Sequence, residues 1–269
     1  MNILRFELRM LRSSTTYWII GLVLLVAIYM SVYPAFSRDV DTLRQFYANL
    51  PAAMKGAMGL EHLSTDTEFS FLKFYGNIFP FFMLAGGIQA MTVGLGLLSR
   101  EPRAKTTDFL LSKPITRTRV FLAKLTAGSL VLLFTSVIFI ASSFLIAKLV
   151  GAGEFSEKTF LMESVVFLYV QFWFLAIGFL AAMLLKKVKS VASTSLEVTL
   201  GLFLAGMLGI AIGEEKVRYV TPFKSVDFLY LVDNVRYEWQ YLAAGVTIII
   251  FSLVFAYVVY VKRDVPTAA

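Results

Sequence analysis

The sequence predicts an all-α, polytopic membrane protein: six transmembrane helices, an amphipathic amino-terminal helix at the interface, and a short helix in the longest cytoplasmic loop. Of its 269 residues, 58% are hydrophobic and 16% charged, with a mean hydropathy of +0.74; soluble domains carry about 25% charged residues. Six apolar runs are long enough to cross a hydrocarbon core of about 30 Å, which takes roughly 17 to 25 helical residues. Lys and Arg gather in alternate loops, as the positive-inside bias requires. Residues 1–269 are read as a single transmembrane domain. Cysteine is absent, which excludes disulfides, thiolate metal sites and cysteine nucleophiles.

At the amino terminus Arg5, Arg9 and Arg12 fall on one arc of a helix, with Ile3, Leu4, Phe6, Leu8, Met10 and Leu11 opposite. That pattern suits a helix lying on membrane lipid, and Glu7 is out of place in its apolar arc. The apolar run that follows is longer than a signal-peptide core and lacks a good small-residue cleavage pattern, so it is read as a retained first span near 17–33. An outer loop covers 34–77. Helical periodicity around Leu43, Phe46, Tyr47 and Leu50, a restart at Pro51 and a stop at Gly59 predict short amphipathic helices over the outer mouth. His62 stands there beside Glu61 and Asp66; a metal needs more ligands at defined spacing, so it is read as a solvated loop histidine and no metal site is expected.

The remaining spans are placed near 78–98, 125–149, 160–185, 191–212 and 241–261. Trp18, Tyr29 and Tyr33 in the first, and Trp239, Tyr241, Tyr257 and Tyr260 in the last, stand where interfacial aromatic belts belong. With both termini on one side, that side carries fifteen cations against four acids, a balance of +11, while the opposite side carries ten against thirteen, or −3. This bias makes the first side cytoplasmic. The net charge of +7 is therefore a topology signal, and no basic patch interleaved with stacking aromatics points to nucleic acid.

Small residues recur at every fourth position in two spans: Gly86, Ala90 and Gly94 in the second, Gly201, Ala205 and Gly209 in the fifth. Such spacing lets helix backbones approach closely. In the second span this reads as packing within the subunit; in the fifth, a face toward another subunit or a substrate path fits equally. Glu197 is read as the one acid within a span, close enough to its inner end to snorkel or to pair with Lys186, Lys187 or Lys189, with a place on the path as the alternative. Gln89 and Gln171 suit either a polar path or interhelical hydrogen bonds. The sequence holds no G-x-x-x-x-G-K-[ST] phosphate cradle, no H-E-x-x-H and no G-x-S-x-G elbow. GEEKVR at 213–218 is one residue short of the E-E-x-x-x-R of intramembrane proteases, whose histidines are missing. A catalytic site in this chain is not expected.

The segment SREPRAKTTDFLLSKPITRTRVFLAK, 99–124, holds seven cations and separates the second and third spans. TTDFLLS offers a threonine cap and a helical turn exposing Phe109, Leu110 and Leu111, which Lys113-Pro114 ends. Thr116 can cap the next helix, with Ile115 and Val120 as its staple. A short apolar helix set among cations on the cytoplasmic face is a docking element for a cytoplasmic protein.

The string LLSKPITRTRVFLAKL resembles the segment E…T-x-E-x-L-L-S-x-P-I-S-R-x-x-x-L-x-x-K of ABC-2 type transporter permeases, the membrane subunits of bacterial ABC exporters. Glu101, Thr107, Leu110, Leu111, Pro114, Arg117 and Lys124 stand at matching positions; Thr106 replaces the usual glycine. The stretch ANLPAAMKGAMGLEHLSTDTEFSFLKFYGNIFPFF is similar to that family's loop before the second span, so the resemblance covers essentially the whole chain. It implies a half-transporter in a bacterial cytoplasmic membrane, with both termini inside. Two permease subunits, identical or paired with a sister protein, would enclose a path and dock 99–114 as a coupling helix on a separate ATPase dimer. ATP and Mg2+ would belong to that partner, and this chain would need no cofactor. Phe109, Leu110 and Leu111 would supply the apolar contact, Glu101 and Arg103 the polar rim, and Pro114 the rigid break. An ion-coupled carrier or a non-transporting scaffold is the rival expectation; a carrier would bury ionisable residues near the midplane.

Overall fold

In the structure, a computed structural model, residues 3–38, 49, 70–104, 116–150, 153, 155–185 and 187–262 are described. The helices are α1 (Ile3–Ser31), α2 (Tyr33–Arg38), α3 (Phe71–Ala104), α4 (Arg117–Leu149), α5 (Glu157–Leu184), α6 (Val191–Ala211), α7 (Phe228–Asn234) and α8 (Trp239–Lys262), with a 3-10 turn at Glu215–Tyr219 before α7. No strand occurs among the described residues. Six helices, α1, α3, α4, α5, α6 and α8, are long and apolar enough to cross a membrane.

Polar caps fix where the helices begin. Thr116 accepts a hydrogen bond from the Arg119 backbone N–H, Ser156 from Thr159, Ser190 from Ser193 and Asp227 from Tyr230, each satisfying a donor that the first helical turn would leave open. Thr116 thus has the capping role expected of it. The basic amphipathic segment is present but not separate: α1 runs unbroken from Ile3 into the first span. Likewise α3 continues past Arg100 to Ala104, so Glu101 and Arg103 lie on an extension of the second span. At 34 residues and 1.5 Å per residue it measures roughly 50 Å, well beyond the hydrocarbon thickness.

The core is the α3–α5 pair, with α4 against both. The two helices nearly touch at Gly94 and Gly178: a Cβ on Gly94 would lie 2.6 Å from the Leu175 carbonyl oxygen, and one on Gly178 2.7 Å from the Leu95 nitrogen. Backbone cannot yield as a side chain can, so both positions exclude even alanine. In lipid, where apolar surface gains nothing by leaving its solvent, this close approach is what binds helices. Toward the end remote from the termini, Phe71, Tyr75, Phe79, Phe82, Phe139 and Phe167 fill the space between α3, α4 and α5. By contrast α1, α6 and α8 present long apolar faces outward, Leu200, Leu204 and Leu208 on α6 among them.

Candidate functional site

The end of the bundle that holds both termini is organised around one buried acid. Glu7 is 2% exposed and Lys124 0%. Lys124 Nζ donates to Glu7 Oε1 at 3.0 Å and to the Leu97 carbonyl at 2.6 Å, while Arg100 donates to Glu7 Oε2 at 2.7 Å. The residue that spoils the apolar arc of α1 is therefore its anchor. Glu7, Leu11 and Thr15 form the buried stripe of α1, and Arg5, Arg9 and Arg12 stay exposed. Both oxygens of the carboxylate are engaged, and a carbonyl shares the ammonium, which is the full satisfaction a buried ion pair requires.

This clamp lies at the roots of the segment that joins α3 to α4. Leu97 and Arg100 are in the last turns of α3; Lys124 is in the third turn of α4. A second tie holds the start of α4, where Arg117 donates to the Val261 carbonyl at 3.1 Å and Thr118 shares a 3.1 Å hydrogen bond with Tyr257, both on α8. Of the residues assigned to docking, Glu101 and Arg103 are on the helical extension of α3, and Arg117 opens α4. Thr107, Phe109, Leu110, Leu111 and Pro114 lie outside the described residues, as does His62.

Halfway along the spans a second polar set ties the same three helices. Gln89 donates to Thr135 Oγ1 at 3.1 Å, Gln171 donates to Gln89 Oε1 at 3.0 Å, and Ser136 donates to Gln171 Oε1 at 2.6 Å. The two glutamines are thus joined by one hydrogen bond and tied to α4 through Thr135 and Ser136, the interhelical role that the sequence allowed. Gly86 and Gly94 are backed by α5, through Phe167 and through Leu175 with Gly178 respectively, and Ala90 is fully buried. The fifth span divides. Gly209 is filled by Val217 of the 3-10 turn, whereas nothing lies within 4 Å of a Cβ on Gly201, and Gly201, Ala205 and Glu197 are exposed on one stripe. The ion pair expected of Glu197 is not formed among the described residues; Lys187 and Lys189 are themselves exposed.

Residues 1–265 match the model of the ABC-2 family transporter proteins. The chain belongs to the ABC-2 transporter family. No curated protein matches it significantly. An ABC-2 membrane protein is the transmembrane, permease part of an ABC transporter, so the clamp and the glutamine set are parts of a transport subunit. Among the described residues of this ABC-2 protein, no group of three or more His, Asp or Glu is arranged for a metal ion.

At the end remote from the termini the ABC-2 chain folds a cap. The helix α7 is strapped to α3 by the Lys73–Asp233 ion pair at 3.0 Å, and Tyr237 donates to the Met162 carbonyl of α5 at 2.7 Å. Behind it, Arg218 pairs with Glu238, lies over the Tyr241 ring at 3.9 Å and donates to the Lys224 carbonyl at 3.1 Å. Burial pushes the Lys224 ammonium below its ordinary value and the Tyr237 phenol above its own. Beneath the cap is a residue that sequence reasoning passed over. Glu163 lies within the fourth span, is 0% exposed, and has no hydrogen-bond partner on either oxygen. Glu197 is thus not the one intramembrane acid; Glu163 is the buried one.

Proposed function

We propose that this chain is the permease subunit of an ATP-driven exporter in a bacterial cytoplasmic membrane, driven through residues 99–114 by a separate ATPase dimer that holds ATP and Mg2+. The observation that carries the reading is the clamp of Glu7, Lys124 and Arg100 at the roots of that segment. Force applied there reaches α3 and α4 together, and the glutamine set with the Gly94–Gly178 contact makes α3, α4 and α5 one stiff block. Rigid-body tilting of that block, carrying α1 with it through the clamp, is the switch between states. The open stripe of Glu197, Gly201 and Ala205 is the face for a second permease subunit, identical or a sister, since small residues admit a close partner.

Purification of the chain from its own cells in mild detergent is expected to bring an ATPase with a Walker A motif. Solute transport by the chain alone, driven by an ion gradient without nucleotide, would favour the carrier reading instead. The charge asymmetry further sets both termini inside. Because the sequence has no cysteine, Ser190→Cys reports topology cleanly: an impermeant maleimide should label it only after cells are permeabilised. Labelling in intact cells would invert the arrangement.

A further inference from the structure

Glu163 sits where a fixed negative charge has nothing to hold it. A Cβ on Gly76 of α3 would come 2.7 Å from Glu163 Oε1 and 2.7 Å from the Phe228 Cβ of α7, so the carboxyl group, the α3 backbone and the cap helix are packed against one another. Glycine is what makes the room. Pro80, four residues along, has no N–H, so the Gly76 carbonyl lacks its intrahelical donor. Beside it the Tyr75 hydroxyl shares a 3.0 Å hydrogen bond with Ser164 and is itself fully buried. An ionised carboxylate without a partner in such a place is costly by several kcal/mol, and proteins avoid leaving one there.

Charged and titratable neighbours come from each element packed here. Span α3 brings Tyr75 and, nearer its outer end, Lys73, already paired with Asp233 of α7. The cap contributes Asp227, which is engaged in capping α7, and Asp233. Tyr237 follows it, with its hydroxyl committed to Met162 and its ionisation pushed up by burial. On α4, Ser143 lies against the Tyr75 hydroxyl; Lys148, toward the end of that helix, is exposed and pairs with Glu157. No described cation pairs with Glu163.

We propose that Glu163 is a proton-binding site whose occupancy is linked to the seating of α7. With the cap down, the bound proton turns an acceptor into a donor and removes the charge. When α7 lifts, water reaches the carboxyl and the proton passes to solvent. The seated state therefore holds one proton more than the lifted state. The sign follows from linkage: stability of the seated cap is complete at low pH and is lost as pH rises. Glu163→Gln, isosteric with the neutral acid, keeps the cap seated at every pH.

The test uses the detergent-purified transporter, where both faces meet solvent, so it does not depend on the orientation proposed above. A single cysteine replaces the fully buried Leu231 on α7, and its maleimide labelling rate is divided by that of the exposed Lys216→Cys chain. With Glu163 present the ratio is expected to rise with pH, by up to about tenfold per unit, the limit for one linked proton. With Glu163→Gln it should be low and flat. Infrared difference spectra between the two chains should show a neutral carboxylic C=O stretch assigned to Glu163 at low pH. A flat response in the Glu163 chain, an unchanged rise in Glu163→Gln, or absence of that band would overturn the proposal. So would a ratio that follows sodium replaced by choline at constant pH, which would make the site one for a small cation.

Discussion

Lys124→Met is expected to destabilise the subunit by about 3–5 kcal/mol, the range for removing one partner of a buried ion pair. At about 2–4 °C per kcal/mol for a chain of this size, its melting temperature in detergent should fall by roughly ten degrees. The cause is the charge left behind. Glu7 is 2% exposed and would keep only Arg100, while the Leu97 carbonyl would lose its ammonium. Adding Glu7→Gln to Lys124→Met removes that stranded charge and leaves Arg100, which is partly exposed, free to turn to water. The double variant should therefore melt above Lys124→Met alone, against the additivity seen at independent sites. The double variant should also hydrolyse ATP with its partner yet export poorly, because α1 is then no longer tied to the roots of the coupling segment. Strictly additive melting temperatures would show that the three side chains do not act as a unit.

The parts legible in the sequence are those set by local composition. Each of the six helices able to span a membrane covers one of the apolar runs to within two residues at its ends, because hydropathy over some twenty residues is a local property. The Thr116 cap was legible for the same reason. Glu7 was visible as an anomaly, a carboxylate in an apolar arc, but its meaning required Lys124, 117 residues away. Lys124 in turn read as one of the seven cations of 99–124. Glu163 was missed because it stands near one end of its span, where an acid passes for an interfacial residue; its burial depends on Gly76 and Phe228, which only packing brings to it. The small-residue triplet of the fifth span shows the same limit. Spacing alone does not distinguish Gly209, which receives Val217, from Gly201, which is open.

Replacing Phe109, Leu110 and Leu111 together with serine should abolish recovery of the ATPase with the permease while leaving insertion and melting temperature unchanged. Burying one such side chain is worth about 1.5–3 kcal/mol, so even partial burial of all three at the docking surface exceeds about 4 kcal/mol, a loss of roughly a thousandfold in affinity. The complex would then dissociate during purification. The contrast with Lys124→Met separates two roles within one end of the protein. In the proposed function the clamp holds the subunit together and transmits displacement, so breaking it should lower stability; the triplet would contact the ATPase, so removing it should lower affinity alone. Glu101 and Arg103, on the helical extension of α3, should behave as rim residues, with single alanine variants weakening the complex by no more than about 1 kcal/mol. Undiminished ATPase recovery with the triple serine variant would show that the partner docks elsewhere, and the clamp would then be a structural tie without a coupling helix to serve.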